Sequence, residues 1–265
     1  MTVAVVGSLS LDSVDGGAPR IGGGPFYSAR ALRVLGTPAV IVAKCAAPDR
    51  QLLLPPLIRL GVPVVWQASS VSAAFSFRYE NERRMMTVEA IADPWTPEEA
   101  VAHLGDARWV HVAPLCRSDF PAETLAAIAR GRRVSLDGQG LARLPQPGPL
   151  RLDGDFDPSV LRPVSILKLS EEEAELLVDG YGERALARLG VREVVVTLGS
   201  RGCIVFADGV AELVRAHAVP ARDPTGAGDA FATAYLAARS GGAAPTAAAR
   251  RAAALVTDML SGRVA

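Results

Sequence analysis

This 265-residue sequence has no excess of either positive or negative charge. Its 28 basic and 28 acidic residues cancel to a net charge of zero, whereas nucleic-acid-binding proteins usually carry a basic excess. Charged residues make up 21% of the chain and hydrophobic residues 49%, which excludes a disordered, acidic chain. We therefore expect a globular protein that handles a small molecule. An anionic ligand remains compatible with this composition, because backbone amides bind anions without any net charge.

Cysteine and histidine are too scarce and too scattered for a disulfide framework or a zinc site. Cys45, Cys116 and Cys203 form no Cys-x-x-Cys pair, so we expect buried thiols in a reducing compartment. The three histidines lack the spacing of metal ligands or of a catalytic triad. Apolar runs of the roughly 18 residues that span a bilayer are also missing, and the N-terminal residues predict a strand instead of a signal peptide. We expect a cytoplasmic protein without membrane or nucleic-acid partners.

Two common nucleotide-binding motifs are absent as well. The first predicted strand is followed by Gly7-Ser8-Leu9-Ser10, which is not the Gly-x-Gly-x-x-Gly of dinucleotide-binding proteins. The sequence contains no Gly-x-x-x-x-Gly-Lys-Ser/Thr string, which excludes a P-loop kinase.

Short runs rich in valine and isoleucine alternate with helical segments along most of the chain. Strands are predicted over residues 3–6, 39–43, 109–113, 134–137, 165–169 and 194–198, and helices over residues 27–35, 51–60, 122–130, 171–178 and 183–189. This alternation predicts an α/β fold with a mostly parallel central sheet and helices on both faces, a Rossmann-type three-layer arrangement. We expect one domain over residues 1–265.

Two segments interrupt the alternation. Residues 73–80 and 83–91, around Glu80-Asn81-Glu82, have the period of two that is typical of strands and predict a small β-hairpin lid inserted at about residues 71–92. We expect this hairpin to cover the substrate, and alanine substitutions of Phe77 and Arg78 test that contact. Residues 144–163 hold five of the nineteen prolines and predict a long irregular connection.

The strongest motif is Asp223-Pro224-Thr225-Gly226-Ala227-Gly228-Asp229, which leads into an alanine-rich helix. Gly226 and Gly228 allow a ligand to approach the backbone, and the unpaired amides of a first helical turn suit a phosphate. The helix dipole is expected to keep Asp229 ionised. An Asp that merely caps a helix is the alternative interpretation, but such a cap does not need small residues at three successive positions.

This string resembles the signature of the ribokinase-like (PfkB) family of sugar and nucleoside kinases. The resemblance implies that Gly226, Ala227 and Gly228 form an anion hole for the transferred phosphate, and that Asp229 is the base for the acceptor hydroxyl. It implies ATP and Mg²⁺ as cofactors, a monovalent cation as a further one, and Thr225 on the cofactor side. The implied partner is a small polyol, namely a sugar, cyclitol or nucleoside, and the implied assembly is a monomer or homodimer.

Further segments are similar to the same family, in the expected order. The run that starts at Gly22-Gly23-Gly24 and ends at Gly36 looks like the N-terminal signature. The residues for which the resemblance implies substrate contact are Asp12, Gly22, Gly23, Tyr27 and Ser28. The residues for which it implies cofactor contact, on a strand and turn of the nucleotide side, are Thr197, Gly199, Ser200 and Gly202.

Two further segments each allow two interpretations. The segment Lys168-Leu169-Ser170-Glu171-Glu172-Glu173 resembles the family's Asn-x-x-Glu, which implies that Glu173 acts on the metal through water. A solvated acidic first turn of a helix is the alternative. Residues 137–143 are similar to an Asp-x-Gln-Gly-x-x-Arg stretch of inositol-kinase-like relatives, and they equally fit a turn that follows a strand.

The sequence also departs from the family pattern. Tyr27 and Ser28 stand where many relatives carry Asn, and Ser170 replaces the usual Asn. The short spacing between Asp12 and the glycine loop suggests a reduced lid. These departures permit an alternative function, a non-catalytic protein that binds a polyol on a kinase fold. The intact Asp229 argues against it, because a binding module needs no base.

Overall fold

The chain folds into fourteen strands and nine α-helices within residues 2–80, 83–217, 219 and 224–264, which a computed structural model describes. The strands are β1 (Val3–Ser8), β2 (Ser10–Val14), β3 (Arg20–Gly22), β4 (Ala39–Ala46), β5 (Val64–Ser69), β6 (Ala73–Glu80), β7 (Arg83–Ala90), β8 (Trp109–Ala113), β9 (Arg133–Asp137), β10 (Gly148–Pro149), β11 (Val164–Ser170), β12 (Glu193–Thr197), β13 (Cys203–Ala207) and β14 (Val210–Val214). The helices are α1 (Gly24–Leu35), α2 (Arg50–Ile58), α3 (Pro97–Val101), α4 (Ala122–Ile128), α5 (Gln139–Ala142), α6 (Glu171–Val178), α7 (Glu183–Ala187), α8 (Ala227–Ser240) and α9 (Pro245–Leu260).

The main sheet contains nine of the described strands, in the order β14-β13-β12-β11-β9-β8-β1-β4-β5. The strands from β12 to β5 are mutually parallel, and β13 and β14 are antiparallel at one edge. Because the parallel strands end on the same side, the segments that follow β1, β8, β9, β11 and β12 converge on one edge of the sheet.

Alternate residues of the central strands enter two separate apolar cores. On β1, Val3 and Val5 lie in the core formed with α1, α2, α8 and α9, whereas Ala4 and Val6 lie in the core formed with α3, α4, α6 and α7. This follows from the period of two along a strand that is buried on both faces. The predicted fold class, a mostly parallel sheet between two helical layers, is confirmed.

A second sheet, here called the lid, contains five described strands in the order β10-β7-β6-β2-β3. The predicted hairpin supplies β6 and β7, and its turn residues Asn81 and Glu82 lie outside the described residues. The other strands were not predicted: β2 pairs in parallel with β6, β3 pairs with β2, and β10 pairs with β7. The short segment after Asp12, from which a reduced lid was expected, therefore widens this sheet. The predicted irregular connection supplies β10.

The cysteines agree with the expectation of buried thiols. All three cysteines are free and buried. Among the described helices, none has the length and apolar character needed to cross a membrane.

Candidate active site

A cavity of about 650 Å³ lies between the lid and the carboxyl edge of the main sheet. Its lid side is apolar and includes Phe75 and Phe77 of β6 and Met86 of β7. The opposite side, here called the floor, is polar. The polar lining residues of the floor are Asp137, Gln139, Arg143, Lys168, Ser170, Glu172, Glu173, Thr225 and Asp229, and strand β2 of the lid adds Ser10 and Asp12. An apolar cover over a polar floor suits a small molecule that carries several hydroxyl groups.

The start of α8 forms one wall of this cavity. Gly226 precedes the helix with φ 79°, and the ring of Tyr27 occupies the space that a Cβ at this position would need. Ala227, Gly228 and Asp229 form the first turn, where amides lack partners within the helix. The amide of Ala227 donates to the carbonyl oxygen of Pro224 at 3.1 Å, so the turn itself uses one amide of the predicted anion hole. Asp223 lies outside the described residues.

Asp229 carries a buried carboxylate oxygen that is not satisfied. Its Oδ1 has no hydrogen-bond partner among the described residues. Burial raises the pKa of Asp229 to about 7 and nearby Asp137 adds to the rise, while the cations of Lys168 and Arg143 oppose it. The helix start therefore does not hold the pKa of this carboxyl group at its ordinary value, because burial raises it. A carboxylate with a pKa near neutrality is matched to taking up a proton.

Two glycines at the start of α1 allow close approaches of the backbone. Gly23 has φ 93°, and a Cβ there would lie 2.5 Å from the carbonyl oxygen of Ser8, so this glycine packs against the end of β1. A Cβ on Gly24 would lie 2.9 Å from Oδ1 of Asp229 and 2.5 Å from Cβ of Ala113. The absence of a side chain at Gly24 therefore lets the start of α1 lie against the Asp229 carboxyl group.

Asp12 lies where the lid meets the floor. Its side chain is buried, and Oδ1 accepts a hydrogen bond from the Ser10 hydroxyl at 2.7 Å. Gly22 pairs beside it on β3, and a side chain there would collide with the Asp12 carboxylate. Gly22 thus makes room for Asp12, which itself lines the cavity.

A buried cluster of charges lies in the floor. The ammonium of Lys168 is 3.2 Å from Oδ2 of Asp137. Burial on its own would lower the pKa of Lys168, but the carboxylates of Asp137, Glu173 and Asp229 outweigh it and raise that pKa. Burial would likewise raise the pKa of Asp137, but the Lys168 ammonium and the amide of Gln139 lower it.

Glu173 lies in the first turn of α6, as the alternative interpretation had it, but its side chain is buried instead of solvated. Its Oε2 accepts a hydrogen bond from the amide of Ser170 at 2.8 Å, and the Ser170 hydroxyl accepts one from the amide of Glu173, which makes a reciprocal cap of α6. Glu173 also lines the cavity, and burial raises its pKa. Within the described residues, no group of three or more His, Cys, Asp or Glu side chains is arranged to hold a metal ion.

A second cavity, of about 260 Å³, adjoins the first and shares Pro224 and Gly228 with it. The predicted cofactor residues Thr197, Gly199, Ser200 and Gly202 lie together on its wall, while Thr225 lines the first cavity. Its apolar lining residues are Ala216, Val219, Ala227, Phe231, Ala253, Val256 and Leu260. This shape suits a flat, largely apolar group attached to phosphates that reach Gly228.

Two predicted substrate residues, Gly22 and Ser28, line neither cavity, and Gly22 instead makes room for the side chain of Asp12. Ser28 is fully buried between α1 and α8, where its hydroxyl accepts a hydrogen bond from the Thr233 hydroxyl at 2.7 Å. It lines neither cavity, whereas Gly23 and Tyr27 line the first. Successive residues of a helix point in different directions, so Tyr27 of α1 faces the cavity whereas Ser28 faces α8.

Comparison with known proteins identifies the family. A family model described as pfkB family carbohydrate kinase matches residues 14–257, which is most of the chain. The chain belongs to the pfkB family.

Relatives and solved structures of similar fold agree with the pfkB assignment. Mouse ribokinase is 35% identical over 129 residues, which cover 44% of this chain and 38% of the mouse protein. Maize fructokinase-2 is 28% identical over 252 residues, which cover 87% of this chain and 74% of the maize protein. A pyrophosphate-dependent kinase of the ribokinase family, solved with a pyrophosphate analog and myo-inositol, matches with a TM-score of 0.85 at 25% identity, covering 98% of this chain and 95% of that one. The predicted enzyme class, a kinase with a hydroxyl acceptor, is confirmed.

Sequence reasoning on the pfkB motifs did not single out Lys168. Lys168 lies two residues before the segment that resembles Asn-x-x-Glu, in which the resemblance concerns Ser170 and Glu173 only. A signal was nevertheless present, because a lysine in a run as apolar as Ile166-Leu167-Lys168-Leu169 is rarely buried without a specific partner.

Proposed function

We propose that this protein transfers the γ-phosphate of ATP to a hydroxyl group of a sugar, cyclitol or nucleoside, with Asp229 as the base. The observation that carries this proposal is the unpartnered, buried Oδ1 of Asp229 at the start of α8, inside a cavity of about 650 Å³. An acceptor hydroxyl is the group that would satisfy this oxygen. Membership of the pfkB family supports the same reaction.

Two acidic residues of the cavity, Asp12 of the lid strand β2 and Asp229 of the floor, divide the reaction between positioning and proton transfer. Asp12 accepts hydrogen bonds from substrate hydroxyls, and Asp229 takes the proton of the reacting hydroxyl. The oxygen of that hydroxyl forms the new bond to phosphorus, and the bond to the bridging oxygen breaks with its electron pair leaving on ADP. The amide end of α8 stabilises the charge on the transferred group.

The second cavity supports ATP as the donor. Its apolar walls accommodate an adenine ring, and its contact with the first cavity at Gly228 allows the phosphates to reach the start of α8. Glu173 and Ser170 would hold Mg²⁺ through water, since Glu173 is already engaged in capping α6. When bound, the metal would neutralise charge on the donor phosphates.

Pyrophosphate is a second candidate donor. The observation that favours it is the structural similarity, at a TM-score of 0.85, to a pyrophosphate-dependent kinase. The two donors differ in their products, because ATP yields ADP and pyrophosphate yields orthophosphate.

The test is a panel of sugars, cyclitols and nucleosides incubated with ATP or with pyrophosphate and Mg²⁺. The expected result is ADP release from ATP that depends on the presence of one acceptor. Acceptor-dependent orthophosphate release from pyrophosphate, without ADP release from ATP, would identify pyrophosphate as the donor instead. We expect Asp229→Asn to lower kcat by about 10² to 10⁴-fold, the range for loss of a general base.

Two results would count against the proposal. Unchanged turnover by folded Asp229→Asn would remove Asp229 as the base. Clear binding of a panel member, without turnover from either donor, would favour the non-catalytic binding protein.

A further inference from the structure

Lysine is almost absent from this chain, which has 26 arginines and two lysines. Both lysines are buried beside a carboxylate: Lys44 lies 2.7 Å from Glu99, and Lys168 lies 3.2 Å from Asp137. Of the two, Lys168 lines the first cavity, between the lid and the main sheet. Since arginine supplies all the other basic side chains, the compact ammonium at position 168 is a specific feature of the cavity floor.

The Lys168 ammonium lies directly against the first turn of α8. A Cβ built on Gly228 would be 3.1 Å from Nζ and 3.6 Å from Cε of Lys168. The absence of a side chain at residue 228 therefore gives the ammonium its place beside the amide end of the helix. Both sources of positive charge meet at the point where the two cavities join.

Hydrogen-bonding capacity remains on this ammonium. Lysine has three N–H donors, and the hydrogen bonds that it makes within the described residues go to the two carboxylate oxygens of Asp137. The charged groups that act on it are Asp137 on β9, Glu173 on α6 and Asp229 on α8, and Arg143 acts in turn on Glu173 and Asp229. A group with negative charge at the start of α8 would be the natural further partner.

We propose that Lys168 is a catalytic residue that donates a hydrogen bond from Nζ to the phosphoryl group during its transfer. The assignment rests on the proposed kinase function. The ammonium stays protonated throughout, because the proton of the acceptor hydroxyl goes to Asp229 and the electron pair of the broken bond leaves with the donor. Lys168 thus stabilises negative charge that the few amides at the helix start share with it.

The primary test is Lys168→Met, with Lys44→Met as its matched control. Both variants remove a buried ammonium from a strand of the same sheet, but Lys44 lies outside the catalytic machinery. We expect kcat at saturating donor and acceptor to fall by about 10² to 10³-fold in Lys168→Met and to stay close to wild type in folded Lys44→Met. Equal kcat values for the two variants would overturn the proposal.

A second comparison separates direct contact from neutralisation of Asp137. The effect of Lys168→Met on kcat is measured again in an Asp137→Asn background, which also avoids leaving a buried carboxylate unpaired. Direct contact predicts that the loss persists relative to Asp137→Asn alone. A loss that disappears in this background would show a structural role and overturn the proposal.

Binding of inorganic phosphate, measured by titration calorimetry, tests the contact without turnover. Loss of one charge-assisted hydrogen bond should weaken phosphate binding by about tenfold or more in Lys168→Met, with Lys44→Met unchanged. Equal affinity in the two variants, or no phosphate binding by wild type, would overturn the assignment. Binding that depends on Lys168, in a protein that turns over no panel member, would support the contact and refute the kinase.

Discussion

Asp229 meets two opposing demands at the scale of a single residue. A base must be free to take up a proton, and a buried carboxylate without a partner costs folding free energy. The structure leaves Oδ1 of Asp229 unpartnered and raises its pKa to about 7. The residue is therefore close to half protonated at neutral pH in the free enzyme.

This pKa predicts how activity depends on pH. Only ionised Asp229 accepts a proton, so kcat/KM for the acceptor should increase as pH rises through about 7 and level off above it. Initial rates at subsaturating acceptor, between about pH 6 and about pH 8, measure this. A flat profile over that interval, with folding unchanged, would contradict the assignment of Asp229.

His111 on β8 shows the opposite electrostatic situation. It is fully buried, its Nδ1 lies 3.3 Å from the Ser135 hydroxyl, and its Nε2 has no partner in the described part of the chain. Burial lowers the pKa of His111 to about 4, although the nearby Asp137 acts in the other direction. The ring is therefore neutral in the folded protein at all but acidic pH.

Stability in acid should depend on this histidine. Between pH 6.5 and about 4 the unfolded chain takes up a proton at residue 111 that the folded protein excludes, which lowers the free energy of unfolding by up to about 3 kcal/mol. His111→Phe removes the effect, so its stability relative to wild type should increase as pH falls across this interval. Urea unfolding of both proteins measures the difference, and parallel pH curves would contradict the prediction.

At the scale of one element, β6 presents two faces. Phe77 is buried and lines the cavity, and the next residue, Arg78, is exposed on the other face of the lid. Sequence reasoning named both as tests of the lid, but strand alternation lets only one of them face the substrate.

This alternation supplies a matched pair of variants. Phe77→Ala should raise the KM for the acceptor by about tenfold or more, since it removes a large apolar side chain from the cavity cover. Arg78→Ala should leave that KM unchanged. Steady-state kinetics with the acceptor found in the panel measures both KM values. Similar KM values for the two variants would show that Phe77 of the lid does not contribute to acceptor binding.

The elements also show what the sequence could predict. The six predicted strands of the main sheet are present because their runs of valine and isoleucine are buried on both faces. β3 has only three residues, too few to show a period, and the five residues of β2 contain no run of valine and isoleucine. α9 was not predicted, although its buried residues Ala248, Ala249, Ala252 and Leu255 recur at helical spacing. The sequence pattern therefore suffices to predict the buried central strands and α9, but not a strand as short as β3.

The same distinction applies to the site. Asp229 could be predicted because its motif is contiguous in the sequence. For Lys168 the sequence signals a buried lysine but not its partners, because these come from β9, α6 and α8, which only the folded chain brings together. Ser28 was misplaced for a related reason, since the helix face that is buried depends on the packing of α1 against α8.

At the scale of the whole molecule, the cavity is built from two parts of different origin. The lid is assembled from three separate chain segments, 10–22, 73–90 and 148–149, whereas the floor comes from segments that follow the strands of the main sheet. Apolar lid residues face the cavity, and Asp229 and Lys168, which we propose for proton and phosphoryl transfer, lie in the floor.

This division has an evolutionary consequence. Substitutions on β6 and β7 can alter which acceptor fits beneath the lid and leave the transfer chemistry in the floor intact. Selection for a new nutrient could therefore act on a few lid positions, without passing through inactive intermediates. The separate origin of cover and floor makes such a scaffold well suited to diversification after gene duplication.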